Sequence, residues 1–445
     1  MSDNKLLDQI FSIPVGRDSY IIYAPLKKIA FIGNKALINS IFDRCTENKA
    51  HDSSLDFLER LDFFKPDTAP IDTYKQSGPV YDSLILFPTN RCNLRCKYCY
   101  ASSGEETGIE MNLELAKAAM GFLFKSAARK NLKKVYVGFH GGGEPTLNWN
   151  LIKESVFLAQ KLSSQNNMPV NIGITSNGCW SREVCKFAVR NLSDATISFD
   201  GLTEVQNSQR PFANGRGSFN RVYQTLKLLD ESDFIYGIRM TATADSVAFL
   251  SDSINYICEN FNPRVIQVEP VFIQGRAMDN YSEIGKYDTF ILEFIKASEI
   301  TKKKRIQLKY SGARLDTITG RFCSAACRSL IITPDGYVTA CIENCSHNHP
   351  QSSKYILGTF EKDGTLLIDR DKLNAHVAGT VDEISRCSGC FCKWHCAGDC
   401  SIKTLTGNAE RCLLNRELTK YQILKKIEDS GGMLWNGKSS SVSIA

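Results

Sequence analysis

The stretch Thr89-Asn90-Arg91-Cys92-Asn93-Leu94-Arg95-Cys96-Lys97-Tyr98-Cys99-Tyr100 spaces three cysteines as Cys-x3-Cys-x2-Cys, just after an apolar run at 84–88. One short loop of this kind can wrap three corners of an iron–sulfur cube in thiolate. A structural zinc site wants four ligands, and the fourth is not in this loop. Three protein ligands leave one iron with an open position, so such a cluster can bind a substrate as well as pass electrons.

Working outward from that loop, strand-like apolar runs recur at 84–88, 135–139, 170–175, 195–199, 236–241 and 265–271. Helix-length amphipathic stretches separate them, as at 112–128, 150–162 and 219–229. Six βα units in series imply a parallel sheet, closed as a partial barrel or open and doubly wound. In either architecture ligands sit at the C-terminal ends of the strands, where the cysteine loop falls.

The chain has 445 residues, 54 Lys+Arg against 48 Asp+Glu, 43% hydrophobic and 23% charged residues. That balance excludes a disordered chain, a collagen-like chain and a coiled-coil rod. The net charge of +6 is mild, and no stripe interleaves basic and aromatic residues, so nucleic acid is not an expected partner. No apolar run reaches the roughly 20 residues that span a bilayer, and the N-terminus has no signal-peptide core. The expectation is a cytoplasmic protein with no membrane partner.

Cysteine is the unusual entry in the composition. There are 17, an odd number, with ten between 323 and 412. In a reducing compartment such clustering favours metal over disulfides. The C-terminal series reads Cys323-x3-Cys327-x8-Gly336-x4-Cys341, then Cys387-x2-Cys390-x5-Cys396-x3-Cys400, then Cys412. Zinc competes with iron–sulfur here, because Cys-x2-Cys pairs suit zinc ribbons equally well. The upstream Cys-x3-Cys-x2-Cys tips the balance to iron–sulfur.

The expected organisation is a small α+β unit at 1–75, a βα barrel at 80–280 and a bridging segment at 281–320. A cysteine-rich domain at 321–425 and a flexible tail at 426–445 complete it. In the first unit, strands are expected at 19–24 and 28–32 and helices near 35–45 and 55–64.

Cys-x3-Cys-x2-Cys with Tyr98 before its last cysteine, placed after the first strand of a βα series, resembles the radical S-adenosylmethionine (SAM) superfamily. The resemblance implies a partial (β/α)6 barrel and a [4Fe–4S] cluster on Cys92, Cys96 and Cys99 that binds SAM. The reduced cluster cleaves SAM to methionine and a 5′-deoxyadenosyl radical, which removes a hydrogen atom from a C–H bond. Gly142-Gly143-Glu144-Pro145 resembles the family's GGEP motif, whose backbone and Glu hold the cofactor's amino group. Glycines permit close backbone approach, and a carboxylate pairs with an ammonium. Ser198-Phe199-Asp200-Gly201 is similar to the ribose-contacting segment, with Ser198 the hydroxyl partner, and Thr175-Ser176-Asn177-Gly178 lines the same cavity. Arg210 stands where related enzymes carry an Arg for the cofactor carboxylate. Gln206-Asn207 replaces their upstream His-Asp pair.

The C-terminal pattern resembles the SPASM domain of peptide-modifying radical enzymes. By that resemblance Cys323, Cys327, Cys341 and Cys400 hold one auxiliary [4Fe–4S] cluster, and Cys387, Cys390, Cys396 and Cys412 a second, making three in all. Cys345 and Cys392 sit inside the ligand segments and are possible substitutes, with His347, His349 and His395 nearby. Cys45, Cys179, Cys185 and Cys258 are expected as core or surface thiols. The N-terminal unit is similar to the winged-helix-like elements that bind a leader peptide by strand addition. The implied activity is maturation of a ribosomally made precursor peptide through an intramolecular cross-link, with a flavodoxin- or ferredoxin-type protein as electron donor. Oxidation of Ser or Cys to formylglycine, as in the anaerobic sulfatase maturases, is the alternative reaction. A non-catalytic iron–sulfur or zinc protein is the alternative of another class. No catalytic acid or base stands out in the sequence.

Overall fold

The computed structural model describes residues 6–47, 53–105, 108–281, 287–404, 409–431 and 434–435. Contacts divide the chain into two compact units. One joins Met1–Asp72 with Ser311–Phe322 and Thr380–Ala445; the other joins Thr73–Tyr310 with Cys323–Gly379.

In the first unit, β1 (Phe11–Pro14), β2 (Tyr20–Ala24) and β3 (Ile29–Gly33) form an antiparallel meander. The residues of β2 and β3 are apolar on both faces, which is the signature of a sheet covered twice. Ile22, Ala24, Ile29 and Phe31 face Ile41 of the helix Lys35–Glu47, together with Leu55, Leu58 and Phe63. Ile13, Ile21, Tyr23 and Ala30 face Leu315 and, from the C-terminal helix Ala409–Asp429, Ile423 and Ile427. The N-terminal strands therefore share a core with the C-terminal helix. Leu434–Trp435, inside the stretch expected as a tail, pairs antiparallel with β3.

In the second unit the six expected strands are all present: β4 (Ser83–Leu86), β5 (Val135–Phe139), β6 (Val170–Ser176), β7 (Asp194–Ser198), β8 (Tyr236–Ala242) and β9 (Val265–Pro270). They pair in parallel in chain order, and β10 (Gln307–Lys309) adds a seventh beside β9. β11 (Ser329–Ile332) lies parallel to β4 on the other edge and starts an antiparallel extension through β12 (Tyr337–Thr339), β13 (Ile356–Phe360) and β14 (Leu366–Ile368). Part of the cysteine-rich region thus continues the barrel sheet, through short strands too weakly patterned to read from sequence.

Period-2 alternation sorts the two faces of the sheet. Val137 pairs with Leu84 and Ile172, and Ile238 with Ile197 and Ile266. All are buried beneath apolar helix faces such as Ala116, Met120 and Leu123 or Val222, Leu226 and Leu229. Burying a side chain of this size contributes about 1.5–3 kcal/mol. The opposite face carries Thr175, Thr196, Ser198, Arg239, Thr241, Gln267 and Glu269, a polar lining that a solid apolar core would not tolerate.

Candidate active site

The cysteine loop leaves the C-terminal end of β4 and is braced by backbone and arginine bonds. Arg95 donates through Nη1 to the Cys92 and Leu94 carbonyls (2.9 and 3.0 Å) and through Nη2 to the Gly104 carbonyl (2.7 Å). Arg276, beyond β9, donates to the carbonyls of Cys96 (2.8 Å) and Ser103 (3.0 Å), and its own amide donates to the Cys99 carbonyl (3.0 Å). Gly275 before it adopts φ +58°, and a Cβ there would stand 2.4 Å from the Tyr100 carbonyl oxygen. From the far side, residues 209–213 strap the loop: Arg95 and Lys97 amides donate to the Pro211 and Gln209 carbonyls at 2.7 and 2.9 Å.

The three thiols sense one another. Burial pushes Cys92 up to about 12, with Cys96, Glu144 and Cys99 adding to it. Burial pushes Cys96 up to about 11, opposed by Arg210 and reinforced by Cys99. Burial this deep makes Cys92 and Cys96 poor free nucleophiles. The Asn177 amide adds a long contact of 3.9 Å to the Cys92 sulfur.

Glu144 is buried and its carboxylate accepts four bonds. Oε1 takes the Thr146 amide (3.2 Å) and the Thr146 and Ser176 hydroxyls (2.7 Å each), and Oε2 takes the Asn177 amide (2.8 Å). Burial raises its pKa, and those four donors oppose the rise. Gly143 permits this packing, since its ideal Cβ would lie 2.2 Å from the Arg91 carbonyl oxygen. A Cβ on Gly142 would lie 2.7 Å from the Cys345 sulfur.

Asp200, just past β7, is a second saturated carboxylate. It accepts from the Tyr98 hydroxyl (2.6 Å), Gln209 Nε2 (2.9 Å), Arg210 Nε (2.8 Å) and Nη2 (3.3 Å), and the Thr241 amide (3.1 Å). Arg210 also stacks over the Tyr98 ring at 4.9 Å. Tyr98, Asp200 and Arg210, all named from sequence, therefore meet, but as one buried ion-pair hub. Gln206 donates from Nε2 to Ser218 Oγ (2.9 Å) and accepts the Asp200 amide (2.8 Å). Asn207 accepts the Phe219 amide at 2.9 Å. Ser198 ends β7 beside Arg239 on the polar face. At the end of β5, burial and the nearby Arg239 hold His140 down to about 4.

A cavity of about 280 Å³ opens beside the loop, with Tyr100, Gly142, Gln274, Cys345 and His349 in its wall. His349 contacts Gln274 and accepts the Gln351 amide (3.1 Å), and His347 pairs with Asp335 at 3.1 Å. In the first unit, His395 contacts the Tyr23 hydroxyl and, at 2.9 Å, the Thr317 carbonyl. Both of its ring nitrogens are thereby engaged.

Also in the first unit, Cys387, Cys390, Cys396 and Cys412 form a second interacting set. Burial pushes Cys396 up to about 12, with Asp399, Cys387 and Cys412 adding to it. Burial raises Cys387, and Cys390 and Cys412 add to that. A hydrogen bond from Cys392 holds Cys390 below the usual thiol range. Cys323, Cys327 and Cys341 belong to the other unit, whereas Cys400 belongs to this one. Asn344, wholly buried near Cys341, has no hydrogen-bond partner among the described residues at either end of its side-chain amide. Among those residues no three His, Cys, Asp or Glu side chains converge as they would on a single ion.

Several supporting residues were not singled out from sequence: Arg95, Arg276, Gln209 and, at the second set, Asp399, Arg411 and Asn415. Arg276 acts 180 residues from the carbonyl it braces, and nothing in its local sequence marks it.

Residues 86–243 match the Radical SAM superfamily model. An uncharacterized protein of Methanocaldococcus jannaschii is 30% identical over 175 residues, which cover 39% of this chain and 57% of that protein. The sporulation killing factor maturation protein SkfB of Bacillus subtilis is 25% identical over 262 residues, covering 58% and 60%. The chain thus spans under two thirds of the length of these two relatives. Among solved structures, native anSMEcpe with bound AdoMet and the Kp18Cys peptide superposes with TM-score 0.61 at 19% identity, covering 79% of this chain and 99% of that one. Streptococcus suis SuiB bound to its precursor peptide SuiA superposes with TM-score 0.54 at 15% identity, covering 91% and 97%. These likenesses agree with the parallel-sheet fold and the cysteine loop at its C-terminal end. Residues 86–243 thus carry a radical SAM domain, and a cysteine-rich C-terminal region follows it.

Proposed function

We propose that this enzyme is a peptide maturase that removes a hydrogen atom from a ribosomally made precursor peptide and installs an intramolecular cross-link, as C–C, ether or thioether. The observation that supports it most is the second thiol set, Cys387, Cys390, Cys396 and Cys412, in addition to Cys92, Cys96 and Cys99. Forming a closed-shell bond after loss of a hydrogen atom requires one more electron to leave, and an auxiliary cluster accepts single electrons. Cys323, Cys327 and Cys341 are proposed as ligands of another auxiliary cluster, for three in all. The orphaned amide of Asn344 favours a polar or sulfide group near Cys341.

When bound on the Cys92 loop, a reduced cluster and SAM supply a 5′-deoxyadenosyl radical. The chain's own residues orient and shield that chemistry. Gly142 and Gly143 keep the strand end bare so that the cofactor's amino group can approach backbone, with Glu144 beside it. Ser198 offers a hydroxyl for the ribose. Asp200 fixes Tyr98 and holds Arg210 charged at the cofactor's carboxylate end. The polar inner face, with Arg239, Thr241, Gln267 and Glu269, faces the peptide.

A leader peptide is proposed to add to the N-terminal sheet by main-chain hydrogen bonds, the mode expected at a free edge. β3 is already paired by Leu434–Trp435, so the edges of this sheet among the described residues are β1 and that two-residue strand, and β1 is the longer one. A flavodoxin- or ferredoxin-type protein is the proposed electron donor. The likeness to anSMEcpe keeps formylglycine formation as a second reading.

The test is anaerobic co-expression with each short reading frame that neighbours the gene, followed by mass spectrometry. A loss of two hydrogens with fragmentation blocked between two residues supports the cross-link. The same loss from a Ser, or exchange of H2S for an oxygen at a Cys, with an aldehyde-reactive residue and normal fragmentation supports formylglycine. Unmodified peptides together with a chain lacking iron and sulfide refute both.

A further inference from the structure

Beside the second thiol set lies a buried polar network that the proposed reaction does not use. Asn415, 1% exposed, sits one helical turn beyond Arg411 on the helix Ala409–Asp429. Its Nδ2 stands 3.2 Å from the Cys396 sulfur and 3.1 Å from Asp399 Oδ2. Asp399, 6% exposed, is clasped by Arg411 through Nε–Oδ2 (2.9 Å) and Nη2–Oδ1 (3.0 Å), and its Oδ1 also accepts the Cys400 amide at 2.7 Å. The Asn415 carbonyl faces the Cys392 sulfur at 3.8 Å.

The amide's orientation is not arbitrary. Both groups before Nδ2 are acceptors, a carboxylate and a sulfur, so the nitrogen rather than the oxygen must face them. The bidentate Arg411–Asp399 pair fixes the carboxylate, and the carboxylate fixes the amide. Placing an ion pair and an amide in a site this dry is costly unless every member is satisfied. The amide has two protons: one goes to Asp399, the other to Cys396.

We propose that Asn415 is a positioning residue that sets the reduction potential of the auxiliary cluster held by Cys387, Cys390, Cys396 and Cys412, through an N–H···S bond to Cys396, with Arg411–Asp399 holding the amide in place. The inference rests on the reading of those four cysteines as cluster ligands. A donor to a ligating sulfur draws off negative charge and stabilises the reduced form of the cluster, which raises its potential. The step concerned is one-electron: the oxidised cluster takes one electron, supplied by dithionite in the test or by the substrate radical in turnover, and no proton need follow. Asn415 would thereby make this cluster a better acceptor for the electron that bond formation releases.

The test uses the full chain, anaerobically reconstituted, with an EPR-monitored redox titration of the reduced auxiliary signal. That signal is assigned by its loss in Cys390→Ala. Asn415→Leu keeps the volume and removes the donor. The expected result is a tenfold fall in the equilibrium constant for reduction, a downward shift of about 59 mV for one electron. Iron content and the potential of the SAM-binding cluster should stay unchanged. An unshifted auxiliary potential with full iron content overturns the proposal. If Asn415→Leu loses iron, the unmodified enzyme decides: with [15N]Asn incorporated, pulsed EPR of the reduced cluster should show a nitrogen coupling, and its absence refutes the N–H···S bond. Failure of the underlying reading looks different, because the unmodified enzyme would then carry no EPR signal sensitive to Cys390→Ala.

Discussion

Gly143→Ala should separate backbone crowding from side-chain crowding at the cofactor motif. An ideal Cβ at 143 falls 2.2 Å from the Arg91 carbonyl oxygen, 2.6 Å from the Asn90 carbonyl carbon and 2.7 Å from the Thr89 carbonyl oxygen. All three are backbone atoms at the start of the cysteine loop, so no rotamer change relieves the clash. Reaching even 3.0 Å requires the loop to retreat by about 0.8 Å. That displacement breaks the Glu144 amide bond to the Arg91 carbonyl (2.8 Å) and moves Cys92 with it. Overpacking of this kind costs about 1–3 kcal/mol in stability, and an error near 1 Å in a reacting geometry costs on the order of 10²-fold in rate. At Gly142 the nearest obstacle is the Cys345 sulfur at 2.7 Å, a side chain that can turn away. Anaerobic cleavage of SAM to 5′-deoxyadenosine is the assay, with iron content and thermal unfolding measured alongside. Gly143→Ala should fall on the order of 100-fold or lose its iron, whereas Gly142→Ala should fall far less and recover when combined with Cys345→Ala. Cleavage at the unmodified rate in Gly143→Ala would refute the argument that backbone contact there holds the loop.

Cys96→Ala should abolish SAM cleavage, and Cys390→Ala should retain uncoupled cleavage while losing peptide product, both read by chromatography of 5′-deoxyadenosine and mass spectrometry of the peptide. Asp200→Asn should lower stability by about 3–5 kcal/mol, because it leaves the Arg210 guanidinium buried without its counter-charge; denaturant unfolding measures it. His140 is held neutral, at about 4 against an ordinary 6.5, by burial and Arg239. The unfolded chain therefore binds more protons between pH 6.5 and 4, and stability should fall as pH drops through that window, by about 2 kcal/mol at pH 5 from this group. Comparing the thermal midpoint of His140→Gln with the unmodified chain at pH 7 and 5 tests this: the variant should lose less on acidification.

The barrel was legible because its signals are local. Each of the six strands is a short apolar run in register with the next, and each intervening helix has one apolar face, so periodicity alone orders them. Gln307–Lys309 escaped notice because three residues with one apolar side chain carry no period, and they become a strand only by pairing with Val265–Gln267. Phe11–Pro14 ends in a proline, which reads as a break and is tolerated here because the strand is at an edge. The shared core of the N-terminal sheet and the C-terminal helix was not legible for a different reason. Tyr23 and Ile423 touch the same cluster across 400 residues of sequence, and nothing in either segment names the other.

At the site, the atoms that could take iron were marked by spacing, while the atoms that hold them were not. Cys92, Cys96 and Cys99 must lie on one loop, so sequence and space coincide. Arg276 and Asn415 need only reach a carbonyl or a sulfur, and many positions in a fold satisfy that condition. The two saturated carboxylates show the same division. A motif names Glu144 and Asp200, yet each spends its lone pairs on donors of this chain: Ser176 and Asn177 for the one, Tyr98, Gln209 and Arg210 for the other. For either to meet a cofactor ammonium or ribose directly, an existing bond must be exchanged. In a dry site, bonds charged at both ends resist exchange more than bonds charged at one end only. Asp200, tied to a guanidinium, is therefore the more fixed of the two, and Glu144, held only by amides and hydroxyls, is the carboxylate with freedom to turn toward a bound cation.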